Sequence, residues 1–588
     1  MRRILDWISH SAVPAVLWSV LVVVSVVRIV ASYAHTSPTY DEPGHVAAGM
    51  EFLGKGTYTL DPVHPPLAPV AIALPLYLSG TRYPVLPESD PASHNYNVVG
   101  DHVLYDGGKL ARHLMLARIG ILPFFILGAV IVYRWAGHVG GSGAALLSAL
   151  MYCTTPTVLA FSSVAYTDIV AASTQLAAMF AFALWLQNPS RHAAAWLGLA
   201  LGASFLAKLT SLFFVPAAAL AMTVVWLVKN RSKGHLLSRQ RLLQLAVIAL
   251  LLPVMIWAGY FFRFHHLQQV TGITQSNMPS WQHFPRPVGS LARGLILRNP
   301  VVPAGEFLHA VAIGWVLNKE QSESYLFGQT KAGGWWYFYL IAIAVKVPIP
   351  LLLLGGVGFC ATCFWASSVH SPQATTDPDM RWIYLLPSVV LVALLLTTTR
   401  VTYQAGLRHV LVVLPLLAII AGVAVSQLLQ LTHRPWHFVP RALTVALLLW
   451  QVGESVKAQS DFLAYFNQFA GSDPSVVLVT GCDLDCGQDL NRLASELHNR
   501  YISDVELAIF SSADMERSGL PHHELPDPTT RPQGWIAVSA RPLRTGSGIR
   551  EVLPPNYFAF LEAYRPVANI GKSIRLYYVP AADSGKTR

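Results

Sequence analysis

Between positions 12 and 458 the sequence returns repeatedly to apolar runs, most of about 18 or more residues and so long enough to cross the hydrocarbon core of a bilayer as helix, the fifth being short and the eighth long. They lie at 12–34, 114–134, 142–162, 166–187, 193–208, 210–228, 243–262, 336–366, 382–399, 409–430 and 441–458. A chain with about eleven such segments cannot bury them in one aqueous core, and a bilayer is the simpler solvent. Of 588 residues, 53% are hydrophobic and only 12% charged; an ordinary globular domain carries about twice that share of charge. The expected fold is a mainly α, polytopic membrane protein with about 11 transmembrane helices. Arg2 and Arg3 precede the first run, but Ala12–Ala34 is too long for the core of a signal peptide and reads as a retained helix.

The net charge of +10 is distributed as a membrane topology requires. With the N-terminus inside, the inner segments hold Arg2, Arg3, Arg134, Arg191, Lys229, Arg231, Lys233, Arg239, Arg241, Arg381, Arg434 and Arg441, against Asp6, Asp377 and Asp379. The first outer loop is acidic on balance: Asp41, Glu42, Glu51, Asp61, Glu88, Asp90, Asp101 and Asp106 against Lys55, Arg82, Lys109 and Arg112. No basic cluster is interleaved with aromatics on a soluble part, so nucleic acid is not expected as a partner. The long outer segments are 35–113, 263–335 and the tail, which divides the chain into a membrane domain at 1–458 and an outer domain at 459–588. In the tail, Ser475–Thr480, Val505–Phe510, Trp535–Ser539 and Ile574–Val579 read as strands and Gln488–Tyr501 as a helix. That order implies a small α/β domain with a parallel sheet. Cys482 and Cys486 flank its first turn and read as a disulfide in an oxidising compartment or as two free thiols. Cys153, Cys360 and Cys363 lie in apolar runs and read as small core residues.

The densest polar cluster follows the first span: Ser37-Pro38-Thr39-Tyr40-Asp41-Glu42-Pro43-Gly44-His45. Two adjacent carboxylates this close to a helix end lie near the membrane–water boundary. There a carboxylate can accept a proton from a hydroxyl whose partner substrate is a lipid. The same acids also suit the start of an interfacial helix, where Asp and Pro are favoured. In Asp61-Pro62-Val63-His64-Pro65-Pro66-Leu67 two prolines stiffen the turn after His64. Asp168 and Lys208 fall at outer span ends, Lys346 inside the eighth run before Pro348, and Arg400 and Arg408 around a short outer loop. Ionisable groups at membrane depth are functional candidates, and cations at an outer-leaflet interface suit a lipid phosphate. The 21 histidines are scattered without a HExxH pair, and no phosphate-binding glycine loop is evident.

The order Tyr40-Asp41-Glu42-Pro43, His64-Pro65-Pro66-Leu67 and Tyr166-Thr167-Asp168 resembles the phospholipid-carrier-dependent glycosyltransferases of GT-C fold, protein O-mannosyltransferases and the aminoarabinose transferase among them (glycosyltransferase family 39). Lys346-Val347-Pro348, Gly406-Leu407-Arg408-His409, Tyr465-Phe466-Asn467, Asp485 and Gly487-Gln488-Asp489-Leu490 extend the resemblance across most of the chain. It implies an inverting transfer from a polyprenyl-phosphate-linked sugar to a hydroxyl of a protein, lipid or polysaccharide acceptor, at the outer face of a bacterial inner membrane. Asp41 would be the catalytic base and Glu42 would position the acceptor or share its proton. Asp168 would support them, while Arg408, Lys346, Lys208 and His64 would form the donor pocket for the lipid phosphate. Such a pocket requires no cofactor; a divalent metal is compatible but not indicated. The chain departs from the family at Pro69, where many relatives have Lys, and at Cys486, where they often have Trp. Two other readings stand beside this one. A transporter or flippase of lipid-linked sugar needs the cations but no base. An envelope-assembly scaffold would work through its tail.

Overall fold

The computed structural model describes residues 13–580 apart from position 88, 230–237, 275–285, position 321, 368–377, 431–437, 548–552 and position 555. Of the topology charges, Arg2, Arg3, Asp6, Glu88, Arg231, Lys233, Asp377 and Arg434 lie outside these residues. Helix occupies most of every apolar run. In chain order the helices that frame the molecule are α1 (Val13–Ser32), α2 (Glu42–Lys55), α3 (Leu67–Leu78), α4 (Leu122–Cys153), α5 (Asp168–Gln187), α6 (Arg191–Ala207), α7 (Ser211–Lys229), α8 (Arg239–Gly259), α9 (Phe338–Lys346), α10 (Ile349–Ser367), α11 (Leu386–Thr398), α12 (Val413–Gln430), α13 (Phe438–Lys457) and α14 (Leu490–Asn499).

Among the described residues, six helical stretches are long and apolar enough to cross a membrane, or up to seven if the bent pair α9–α10 is one span. Other expected spans are helical but short or broken. Helix α11 has only 13 residues. The run at 142–162 stops at Cys153 and resumes as Pro156–Ser162. Within α4 the backbone leaves helical geometry at Gly141 (φ 78°, ψ −176°), a conformation open to glycine and costly for other residues. Helices α4 and α12 pack closely at the centre of the core. A Cβ on Gly422 would lie 2.1 Å from Ser148 Oγ and 2.4 Å from Ser148 N, so only glycine permits this approach.

Helices α9 and α10 meet at Val347-Pro348 with a bend of 119°. Proline cannot donate to the helical ladder, and the freed carbonyls sit in the core, where each needs a partner. Thr157 Oγ1 donates to Lys346 O at 2.7 Å. Asn467, from the tail, supplies the rest: its N–H donates to Val345 O at 2.8 Å, and its Nδ2 to Ala344 O and Val347 O at 2.6 and 2.7 Å.

The tail carries a five-stranded sheet of β1 (Asp504–Ala508), β2 (His522–Glu524), β3 (Gly534–Ser539), β4 (Ala568–Ile570) and β5 (Ile574–Val579), in the spatial order β2-β1-β3-β5-β4. β1 runs parallel to β2 and β3, whereas β5 is antiparallel to β3 and β4. The sheet is therefore mixed, not the parallel sheet expected. Nor is Ser475–Thr480 a strand: Asp473 accepts the Ser475 N–H and Pro474 opens a short helical turn, Pro474–Val477. An N-cap followed by proline overrides the β-branched pattern there.

Two substitutions test this packing. Asn467→Ala strands buried carbonyls at about 1–3 kcal/mol each, and should lower the thermal midpoint in detergent more than Gln468→Ala does. Gly422→Leu, overpacked by about 1–3 kcal/mol or more, should reduce the monodisperse fraction in size-exclusion chromatography; normal yield and midpoint would refute the close approach.

Candidate active site

The segment leaving α1 is wrapped around one guanidinium. Arg118 Nε and Nη2 each donate to the Glu42 carboxylate at 2.8 Å. Its Nη1 donates to Thr36 O and Thr36 Oγ1, and its Nη2 also to Ser37 O. The Thr39 and Ala165 N–H groups donate to Glu42 at 2.8 and 2.7 Å. Both Glu42 and Arg118 are wholly buried. Burial pushes the Glu42 carboxyl up, but Arg118 and these backbone donors outweigh it and hold the group below the usual range. Glu42 is thus saturated within the fold, facing away from solvent.

Asp41 differs. It precedes α2, yet its side chain makes no capping hydrogen bond. Its Oδ2 takes the Arg408 Nη1, and both side chains keep some exposure, 21% for Asp41 and 14% for Arg408. Arg408 Nη1 also lies 4.0 Å from Asp168 Oδ2, and Asp168 Oδ1 accepts from Lys208 Nζ at 2.5 Å. Tyr166 completes the group: its hydroxyl accepts the Asp41 N–H at 3.0 Å, and the Arg408 guanidinium stands 5.2 Å from its ring centroid. Two carboxylates and two cations therefore alternate around Tyr166. Burial alone would raise the Asp41 pKa; Arg408, then His45 and His64, reverse this and hold it below the usual carboxylate range. Arg408, though burial opposes its charge, is held above its usual value by Asp41 and Asp168.

Of the residues singled out from the sequence, Asp41, Asp168, Lys208 and Arg408 come together here. Lys346 does not join them. Its Nζ donates to the backbone carbonyls of Leu463 (2.8 Å) and Asp483, and it lies 4.5 Å from the Phe466 ring. A buried ammonium needs such partners, and these come from the tail. Asp483 in turn accepts the Leu407 N–H with both oxygens, at 3.1 and 3.0 Å, fixing the loop that presents Arg408. His64 sits beside Asp61 and His45: its Nδ1 is 2.9 Å from Asp61 Oδ2, and His45 Nδ1 is 3.5 Å from the same oxygen. Cys482 and Cys486 are joined in a disulfide. The Tyr166 hydroxyl lies 2.9 Å from Cys486 Sγ, and Cys486 O accepts the Tyr40 N–H at 3.0 Å.

Sequence reasoning passed over Arg118, although an arginine within the run 114–134, rather than at its far end like Arg134, was a signal. It also passed over Arg541, half-buried 4.4 Å from the centroid of Phe510, whose ring stacks on Tyr40 at 4.4 Å. Nor did it join His45 to Asp61 and His64, because nothing local brings residue 45 to 61.

Residues 115–257 match the family model described as dolichyl-phosphate-mannose-protein mannosyltransferase. The oligosaccharyltransferase of Archaeoglobus fulgidus superposes with a TM-score of 0.51 at 10% identity, covering 91% of this chain and 70% of that one. The archaeal enzyme in complex with an inhibitory peptide and a dolichol-phosphate gives 0.50 at 9% identity, with the same coverage. ArnT from Cupriavidus metallidurans, bound to undecaprenyl phosphate, gives 0.46 at 14% identity over 95% of this chain and 97% of that one. No curated protein matches the sequence. The chain has the fold of the GT-C glycosyltransferases. Its resemblance to the polyprenyl-phosphate-dependent mannosyltransferase group, read first from short motifs, is shared by the family model over residues 115–257.

The Asp41–Arg408 pair predicts a pH dependence. A carboxyl whose pKa is lowered by folding adds stability above its unfolded pKa of about 3.9, and the gain is lost as pH falls through the lower folded value. The difference in thermal midpoint between wild type and Arg408→Gln should be full at neutral pH and narrow below about pH 4. A difference independent of pH would show that the two charges do not interact.

Proposed function

We propose that this protein is an inverting glycosyltransferase that moves a sugar from a polyprenyl-phosphate carrier to a hydroxyl acceptor at the outer face of a bacterial inner membrane. The N-terminus is inside; residues 1–458 form the catalytic membrane unit and 459–588 an outer α/β unit. One observation carries the reading: Asp41 is partly exposed, held ionised by Arg408, and backed by Asp168 and Lys208. The dolichol-phosphate bound by the archaeal enzyme supports a carrier of this chemistry.

In the reaction the acceptor oxygen attacks the anomeric carbon from the face opposite the carrier. The bond from that carbon to the phosphate oxygen breaks, and its electron pair leaves on the phosphate. Asp41 takes the acceptor's proton. With its pKa depressed, Asp41 is always ionised but is a weak proton sink, so the proton moves late, as the hydroxyl becomes acidic in the transition state. Arg408 gives Nε to Ala405 O and Nη1 to Asp41; Nη2 is the edge that would meet the carrier phosphate and stabilise its developing charge, with Lys208 behind Asp168. Glu42 works at one remove, positioning Asp41 through Arg118. Lys346 supports the Arg408 loop through Asp483 instead of contacting the donor. The mechanism asks nothing of a metal.

The test is transfer of radiolabelled mannose, glucose, galactose or aminopentose from polyprenyl phosphate to an envelope extract. Asp41→Asn should reduce transfer by about 10²–10⁴-fold while leaving binding of polyprenyl phosphate within a few-fold. Equal transfer by both proteins would remove Asp41 as the base. Binding without transfer by the wild type, with every donor, would favour a carrier of lipid-linked sugar.

A further inference from the structure

Beside the carboxylate cluster lies a second group that takes no step in the proposed reaction. His45, on the first turn of α2, and His64, before Pro65-Pro66, face one carboxylate, that of Asp61. One donor atom from each residue can be chosen so that all three lie within 4.8 Å of one another. The rings of His45 and His64 stand edge to face, with centroids 4.9 Å apart. Asp61 and His45 are buried; His64 keeps 29% exposure.

The scaffold holds these donors from behind. Asp61 Oδ1 accepts the Val63 and His64 N–H groups at 3.2 and 3.1 Å, closing the turn. The Tyr58 hydroxyl donates to His64 O at 2.7 Å. His45 is fixed by its helix, where its N–H donates to Asp41 O at 3.1 Å, and its ring lies edge-on to Tyr166 at 6.0 Å. Yet among the described residues His45 Nδ1 is buried without a hydrogen-bond partner, although it points to Asp61 Oδ2 at 3.5 Å. A buried ring nitrogen normally finds a partner. Here it faces a carboxylate that a second imidazole also faces.

We propose that His45, Asp61 and His64 bind one divalent transition-metal ion of the zinc or cobalt class, with the remaining coordination positions on the side where His64 meets solvent. Two imidazoles and one carboxylate are the donor set such ions take while leaving room for an exogenous ligand. Metal–ligand bonds of about 2.1 Å put donors roughly 3–4 Å apart, so a small rotation of His64, the exposed member, closes the site. Bound there, the ion would pin the His64-Pro65-Pro66 turn to α2 one helical turn from Asp41. The inference stands apart from the proposed reaction, and its test does not use transfer.

The purified protein, its affinity tag removed and its metals stripped with chelator, is titrated with Co²⁺ in detergent. Visible absorption is followed, and the bound metal is counted by mass spectrometry after equilibrium dialysis. Expected are one Co²⁺ per chain, an absorption band showing nitrogen and oxygen ligation, and its displacement by Zn²⁺. His64→Gln should weaken binding by at least about tenfold; the side chain is partly exposed, so this variant keeps the fold. Asp61→Asn should do the same, while His523→Ala, on the distant sheet, should bind as the wild type does. A rise in thermal midpoint with Zn²⁺ in the wild type but not in His64→Gln would agree. No stoichiometric binding, or equal binding by His64→Gln, would overturn the proposal and leave a hydrogen-bonded Asp61–His64 pair.

Discussion

Everything near Asp41 depends on a single buried ion pair. Arg118 carries five N–H donors, and the polypeptide from Thr36 to Glu42 meets them with two backbone carbonyls, one hydroxyl and both oxygens of a carboxylate. Removing either partner of such a pair costs about 3–5 kcal/mol, because the other is left charged away from water. That cost fixes the direction in which the chain leaves α1, and so where the next residue's carboxylate points. Glu42 and Asp41 are neighbours with opposite fates. One is consumed by the scaffold, and the other is left at the edge of the protein with a single charged partner.

The cluster that results is assembled from parts far apart in sequence. Asp41 comes from the segment between α1 and α2, Tyr166 from just before α5, Asp168 from its first residue, Lys208 from just after α6, and Arg408 from the loop before α12. The tail contributes without entering the ring of charges. Asp483 holds the Leu407 N–H, Cys486 O holds the Tyr40 N–H, and Ser512 Oγ donates to Tyr40 O. These bonds set the two loops that carry Asp41 and Arg408 against each other, while the disulfide-bridged turn lies against Tyr166.

The long apolar helices were legible in the sequence because apolar length is a strong signal that reads one segment at a time, whereas α2 and α3, within 35–113, were not. The strands at Asp504–Ala508, Gly534–Ser539 and Ile574–Val579 were legible for a similar reason, since β-branched and aromatic residues cluster there. Ser475–Thr480 was misread because an Asp473-Pro474 cap outweighs that pattern. The acids and cations of the site could be picked out because charge beside a membrane is costly. Their partners could not. Whether Lys346 meets a ligand or the carbonyls of Leu463 and Asp483 is decided by residues more than a hundred positions away. The same holds for His45 and Asp61, which no periodicity relates.

The cap that Asn467 places on the break between α9 and α10 has a consequence for how the protein is made. Three of the carbonyls that the break exposes are met by a residue synthesised after α13. While the ribosome is still building the earlier helices, that break must be held by lipid headgroups, by water or by the insertion machinery. The membrane bundle reaches its final form only when the following segment has been threaded to its own side and folded back. Its assembly is thus completed by a segment that emerges only after α13, and a nascent chain halted at α13 would be inserted but unfinished.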